Sequence, residues 1–249
     1  MSLQGKTILT TRAASQSGEL RAKLEALGAH VIECPTIEIV PVEDWTPVDE
    51  SIRRLDSYDW LIFTSANAVQ HFMERVRLAG IAVSIPIAVV GTATARRLKE
   101  FGLEPEIVPK EFRAEGLLRS MPSSLFRTRV LMPRAETARD ILPKELRRRG
   151  AHVDVVTVYR TIRPASGSRS VAEILSTETI DCIVFTSPST IRYLAESGGE
   201  AVLKLLSKVA IAVIGPVTRD AATEFGLTSR IVPTQSTIDA LVAAIRNSI

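Results

Sequence analysis

Cysteine and histidine are scarce in this chain of 249 residues, and the scarcity narrows its chemistry. The two cysteines, Cys34 and Cys182, stand in no CxxC or other metal-like spacing, which excludes a zinc module and a disulfide framework. The three histidines are His30, His71 and His152. With so few, a Ser-His-Asp triad or a histidine-rich metal site lacks its parts. Neither Gly91 nor Gly215 belongs to a GxGxxG element, and there is no Walker loop and no GxSxG elbow. No apolar run approaches the ~20 residues that span a bilayer. The first residues carry Gln4, Gly5 and Lys6 ahead of a short apolar run and show no signal-peptide pattern, so a cytoplasmic location is expected. Charge of one sign is also lacking: 31 basic and 28 acidic residues leave a net +3, which excludes a polycation. What remains, with 45% hydrophobic and 24% charged residues, is the balance of a globular protein, long enough for two domains or one large one.

The chain repeats itself. Lys6-Thr-Ile-Leu-Thr-Thr-Arg12 is echoed by Arg129-Val-Leu-Met-Pro-Arg134, which sets Arg12 and Arg134 122 positions apart. Gly28-Ala-His-Val31 returns as Gly150-Ala-His-Val153, and Asp59-Trp-Leu-Ile-Phe-Thr-Ser65 as Asp181-Cys-Ile-Val-Phe-Thr-Ser187, at the same offset of 122. Ile87-Ala-Val-Val-Gly91 returns as Ile211-Ala-Val-Ile-Gly215 at 124, and Phe101-Gly-Leu103 and Ile107-Val-Pro109 keep that offset. A period this long is no solenoid. It reads as two copies of one domain, with any cleft between them pseudo-symmetric.

Each copy alternates strands and helices. In the first, strands are expected at 7–11, 31–34, 60–64, 87–90 and 103–108, and helices at 16–27, 67–79, 92–101 and 115–121. Leu20, Leu24 and Leu27 mark the apolar face of the first helix, and Gly28 its end. Trp60-Leu-Ile-Phe-Thr64 is a continuous apolar run, the pattern of a strand buried on both faces. The alternation predicts parallel sheets covered by helices on both faces, in the flavodoxin-like manner.

In such a sheet ligands bind beyond the carboxyl ends of the strands. The segments there are rich in hydroxyls: Thr10-Thr-Arg12, Thr64-Ser-Ala-Asn67 and Gly91-Thr-Ala-Thr94 in one copy, Met132-Pro-Arg134, Thr186-Ser-Pro-Ser189 and Gly215-Pro-Val-Thr218 in the other. Each opens a helix, where free N–H groups and the positive dipole end favour anions. One such loop is explained by helix capping, with Pro188 and Pro216 suited to a first turn. Six of them across a duplicated fold point to a polyanion site. Arg12 and Arg134 are either solvated or paired with a carboxylate or phosphate, for which the guanidinium fork is suited. Arg147-Arg-Arg149, at a helix end, reads as a solvated face. His30 and His152 are expected at the opposite end of their sheets, in structural roles. The copies part at one informative position, where Ile37 corresponds to Tyr159. Tyrosine in a β-rich run is a packing residue or, where a phenol breaks the duplication, a proton donor to ligand.

Phe63-Thr-Ser65 with Asn67, Val90-Gly-Thr-Ala-Thr94, Val155 to Arg160, Phe185-Thr-Ser-Pro-Ser189 and Ile214-Gly-Pro-Val-Thr218, in this order, resemble the uroporphyrinogen-III synthase family over nearly the whole chain. The resemblance implies an enzyme that takes the linear tetrapyrrole hydroxymethylbilane, loses water, inverts ring D and closes the macrocycle, using neither a metal nor an organic cofactor. It implies interleaved domains, 1–37 with 163–249 and 40–158, joined by a two-segment hinge at about 36–41 and 157–164. Tyr159 matches the family's active-site tyrosine, and Thr94 and Thr218 match family threonines. Arg12, Thr64, Ser65, Asn67, Arg134, Thr186, Ser187 and Ser189 complete the substrate-binding candidates. The family often carries a basic residue where Asn67 stands, so a salt contact is missing there. A monomer is expected, with transient contact to the upstream deaminase as a further expectation. The competing reading is a non-enzymatic two-lobed protein closing on a small anion; the missing signal-peptide pattern and the unpaired Tyr159 stand against it.

Overall fold

The computed structural model describes residues 2–164 and 170–249. The chain forms two compact units, Met1–Ile39 with Ile162–Ile249, and Val40–Thr161. Residues 165–169, within the 163–249 segment that the resemblance assigns to one domain, lie outside the described residues.

The first unit is built on β1 (Thr7–Thr10), β2 (His30–Glu33), β8 (Cys182–Phe185) and β9 (Ala210–Val213), in the order β2-β1-β8-β9. All three pairings are parallel, and an isolated parallel bridge from Ala212 to Ile231 extends the edge. Consecutive residues of these strands face opposite ways. Ile8, Cys182 and Val184 thus enter one core with Leu20 and Leu24 of α1 (Ala14–Glu25) and Leu241 and Ile245 of α10 (Ile238–Ser248). Leu9, Ile183 and Phe185 enter the other, with Ile174 of α7 (Val171–Thr177), Ile191 and Leu194 of α8 (Pro188–Leu206) and Ala222 of α9 (Pro216–Glu224). Burial on both faces explains why β8 and β9 read as unbroken apolar runs. It also makes Cys182 a packing group: burial pushes its thiol up to about 12, so it holds its proton.

The second unit carries β3 (Glu38–Pro41), which runs on from the first unit, with β4 (Trp60–Phe63), β5 (Ile87–Val89), β6 (Arg129–Ala135) and β7 (His152–Ile162). The order is β3-β7-β6-β4-β5, with β7, β6, β4 and β5 parallel to one another. One face packs Ile62, Val130 and Met132 against Leu117 and Leu118 of α5 (Ala114–Ser120) and Leu142 and Leu146 of α6 (Ile141–Arg148). Phe63 meets Phe72 of α3 (Ala66–Ala79) edge to face at 5.7 Å between centroids. Two helices complete the unit, α2 (Thr46–Arg53) and α4 (Thr92–Lys99).

The two sheets keep the same register. Ile8 stands beside Cys182 in one and Val130 beside Trp60 in the other, each partner displaced by 122. Thr7 beside His30 matches Arg129 beside His152, and the bridges Ala88–Ile107 and Ala212–Ile231 differ by 124. An aspartate tethers each pair at its amino end. Asp181 Oδ2 accepts from the Thr7 amide at 2.8 Å, and Asp59 Oδ2 accepts from the Arg129 amide at 2.7 Å. Although burial opposes it, the Thr7 amide and then Lys6 hold the Asp181 carboxyl below its usual 3.8. A depressed folded-state pKa adds stability that is present above the unfolded value and is lost as pH falls through the folded one. Asp181→Ala is therefore expected to cost about 1 kcal/mol at pH 7 and, in urea titrations, to converge on the parent as pH falls through the depressed folded-state value.

Several elements depart from the sequence-based expectation. Residues 103–108 form no strand beyond the bridge at Ile107, and the repeat-related stretch likewise holds only the bridge at Ile231. Strand β3 and helix α2 are additions to the expected elements; Val48 and Ile52, four apart and buried, give α2 its apolar face, and Pro47 suits its first turn. The run Arg147-Arg-Arg149 is not merely solvated: Arg147 donates to the Val153 carbonyl at 2.7 Å and Arg149 to that of Leu118 at 2.6 Å, so two of the three tie α6 to its neighbours.

Candidate active site

Parallel pairing sets the carboxyl ends of each sheet's parallel strands along one edge, and the hydroxyl-bearing segments follow them. In the second unit, β4 ends at Phe63 and the chain turns through Thr64 and Ser65 into α3. Ser65 is the N-cap, its Oγ accepting from the Ala68 amide at 3.1 Å. The same oxygen lies 3.2 Å from the Tyr159 hydroxyl. Tyr159 reaches it from β7, where a register shift sets Ala135 beside Tyr159 after Arg134 beside Thr157. Such bulges re-aim side chains at the edges of sheets. Consecutive Val158 and Tyr159 are both buried there, against the usual alternation of a strand.

Tyr159 is 7% exposed, and burial raises its phenol above the usual 10, opposed by hydrogen bonds to Ser65 and Asn67. It stays a neutral donor throughout the neutral range. Asn67 and His71, four residues apart, share one face of α3. The His71 imidazole stacks on the Tyr159 ring at 5.8 Å, with 29° between the planes. His71 is not among the sequence-based candidates, because the ring it meets comes from β7, far away in sequence.

Thr94, in the first turn of α4, is buried, and its hydroxyl donates to the Val90 carbonyl at 2.9 Å. Its oxygen keeps acceptor capacity only. Thr64 is half-buried beside Ser65. Arg134, which sequence reading set after its strand, lies inside β6. Its guanidinium donates to Asp140 at 2.7 Å and to the Arg139 carbonyl at 3.3 Å. That ion pair holds Asp140 below the usual carboxylate range and occupies much of the fork.

In the first unit, Ser187 caps α8 and shares a 2.9 Å hydrogen bond with Ser189, with Thr186 half-buried just before them. Thr218 is buried in the first turn of α9. Arg12 differs from its repeat mate. Its Nε is buried without a hydrogen-bond partner, and burial lowers the guanidinium below its usual value, with Glu19 opposing. The repeat-related glycines before the threonine turns stand in different environments. Gly91 has φ 89°, a left-handed conformation that other residues resist. At Gly215 the backbone is extended, but an added Cβ would stand 2.1 Å from the Ser236 hydroxyl. Among the described residues no cluster of three or more His, Cys, Asp or Glu is placed to hold a metal ion, and no helix is long and apolar enough to cross a membrane.

Parallel sheets under helices, with hydroxyl-bearing turns at their carboxyl edges and the buried Tyr159 phenol beside one of them, define a protein of the α/β class. A family model described as uroporphyrinogen-III synthase HemD matches residues 18–243. The uroporphyrinogen-III synthase of Synechococcus elongatus is 38% identical over 98% of this chain and 95% of its own. A putative uroporphyrinogen-III synthase of Methanothermobacter thermautotrophicus is 32% identical over 94% and 95%. Among solved structures, a mutant uroporphyrinogen III synthase of Thermus thermophilus matches with a TM-score of 0.72 at 21% identity, covering 98% of both chains, which bears on the fold alone. The chain belongs to the uroporphyrinogen-III synthase family, the cyclising lyases of tetrapyrrole synthesis. These relatives favour the enzyme over the non-enzymatic small-anion binder.

Proposed function

We propose that this chain closes hydroxymethylbilane into uroporphyrinogen III, with Tyr159 as the acid that assists departure of the hydroxyl. The observation that carries this is the Tyr159–Ser65–Asn67 cluster: a phenol kept neutral by burial, with its oxygen held by two polar side chains. The pyrrole nitrogen of ring A expels the hydroxymethyl oxygen, which takes the Tyr159 proton and leaves as water. The far pyrrole attacks the resulting azafulvene through its already substituted carbon and gives a spiro intermediate. That intermediate fragments and recloses with ring D reversed, and the proton shed as the last pyrrole regains aromaticity restores the phenol. Uncatalysed closure leaves ring D unflipped and yields the type I isomer, so much of the catalysis is control of geometry.

The substrate's acetates and propionates suit the helix N-termini and hydroxyls described above. Arg12, with its buried Nε unsatisfied, is the cation we assign to a carboxylate; the Asp140 pair leaves Arg134 less to offer. Thr64, Ser65, Asn67, Thr94, Thr186, Ser187, Ser189 and Thr218 supply the remaining polar contacts. We further propose that both loop sets serve one substrate molecule, with domains 1–37 plus 163–249 and 40–158 moving on hinges at about 36–41 and 157–164. Recurrence of the strand registers at offsets of 122 and 124 supports descent of the two halves from a duplication. A cytoplasmic monomer in transient contact with the upstream deaminase completes the reading.

The test is to supply freshly made hydroxymethylbilane and resolve the oxidised products by isomer. Type III product in excess of the spontaneous background is expected. Type I alone, from protein shown to be folded, overturns the assignment.

A further inference from the structure

We infer that His71 is a positioning residue of this reaction, its imidazole stacked on the Tyr159 ring to fix the direction in which the phenol presents its proton. The inference rests on the reading of Tyr159 as the acid. A phenol is positioned by where its oxygen is held and by how its ring is tilted. Ser65 and Asn67 hold the oxygen. Neither constrains the ring plane. His71, on the same face of α3 as Asn67 and one turn further along, supplies that constraint through an inclined stack, 5.8 Å between centroids and 29° between planes. All three groups project from the first two turns of one helix, so the cradle is as rigid as α3 itself, which is anchored by buried Val69, Phe72, Met73 and Val76.

The imidazole suits this use. His71 is half-buried, and burial lowers its pKa from the usual 6.5, against the charge of Glu74 on the next turn. At neutral pH the partner of the phenol is therefore an uncharged flat ring. A neutral ring leaves the phenol's acidity to burial and hydrogen bonding and contributes shape. Small displacements of a reacting group are costly in rate, on the order of 10²-fold for about 1 Å. The loss of one flat contact that tilts but does not displace the oxygen is expected to cost about tenfold.

The test compares His71→Ala, His71→Gln and His71→Phe with Tyr159→Phe in the full chain. Folded fraction is checked by circular dichroism, and turnover of hydroxymethylbilane is followed by isomer. His71→Ala is expected to lower kcat about tenfold with KM within about twofold, and to raise the share of type I product as spontaneous closure competes. His71→Phe, which restores a flat ring without a titratable nitrogen, is expected to recover about half or more of the lost kcat. His71→Gln, polar but not a ring, is expected to behave as the alanine variant. Parental kcat in His71→Ala overturns the inference, and so does equal rescue by glutamine and phenylalanine. Should His71→Ala fail to fold, the glutamine–phenylalanine difference decides. A parental rate in Tyr159→Phe removes the acid reading itself, whereas a slow Tyr159→Phe beside a parental His71→Ala removes only the role of His71.

Discussion

Tyr159→Phe is expected to lower kcat for hydroxymethylbilane by ~10²–10⁴-fold, the usual contribution of a positioned general acid. The ring, its stacking on His71 and its place opposite Ala135 all survive the change, so the loss is confined to one hydroxyl. Ser65 keeps its capping bond to Ala68, and the variant leaves Ser65 and Asn67 short of one partner, at a cost of about 1–3 kcal/mol. The protein therefore stays folded while turnover collapses. The sign of the phenol's shift sharpens the expectation. Burial raises its pKa, so the donor form persists well above pH 8, and an alkaline loss of activity near neutrality is not expected from this group. Steady-state kinetics with isomer-resolved product check both points, and an unchanged kcat removes Tyr159 from the mechanism.

Phe63→Ala is expected to be the most destabilising of these changes, by about 3–5 kcal/mol out of a total of about 5–15. Phe63 is fully buried at the end of β4 and meets Phe72 of α3 edge to face, so truncation leaves a cavity between strand and helix that the packed neighbours cannot fill. It also sits two residues before the Ser65 cap, which couples packing to catalysis: a relaxed α3 start shifts Ser65, Asn67 and His71 together. Denaturant titration measures the total loss. Hydrogen exchange locates it, with protection falling in β4, β5 and β6 and little changed in β1 and β8 of the other unit. A loss below about 1 kcal/mol contradicts the packing described for Phe63.

Much of this is legible in the sequence itself. The offsets of 122 and 124 between repeated segments reappear as partner registers in the two sheets, because a strand's alternation fixes which residue can stand beside which. Tyr159 stood out because the duplication fails there. Other parts left no local trace. The partnering of Arg134 by Asp140 and the isolation of Arg12 Nε depend on which side chains fold back, and their shared sequence context made the two arginines look alike. His71 is one histidine on a helix that the apolar period explains without it, and its role depends on a ring delivered from β7. The bulge opposite Arg134 and Ala135, which leaves Val158 of β7 without a partner in the register, is equally silent in sequence.

The sheet order carries a consequence for synthesis. The strand β1 is central in its sheet, between β2 and β8, and its partner Asp181 is made more than 170 residues later. The unit formed by Val40–Thr161 is contiguous and complete while β8 and β9 are still unmade. Chain emerging from the ribosome is therefore expected to finish the middle unit first, with β1, α1 and β2 left waiting beside an apolar edge that has no partner. Long-range parallel pairing is slow for the same reason, because the loop must close before its contacts reward it. The unit that carries Tyr159 matures early. The unit that carries Arg12 is the one exposed to chaperones and to aggregation while it waits for β8 and β9.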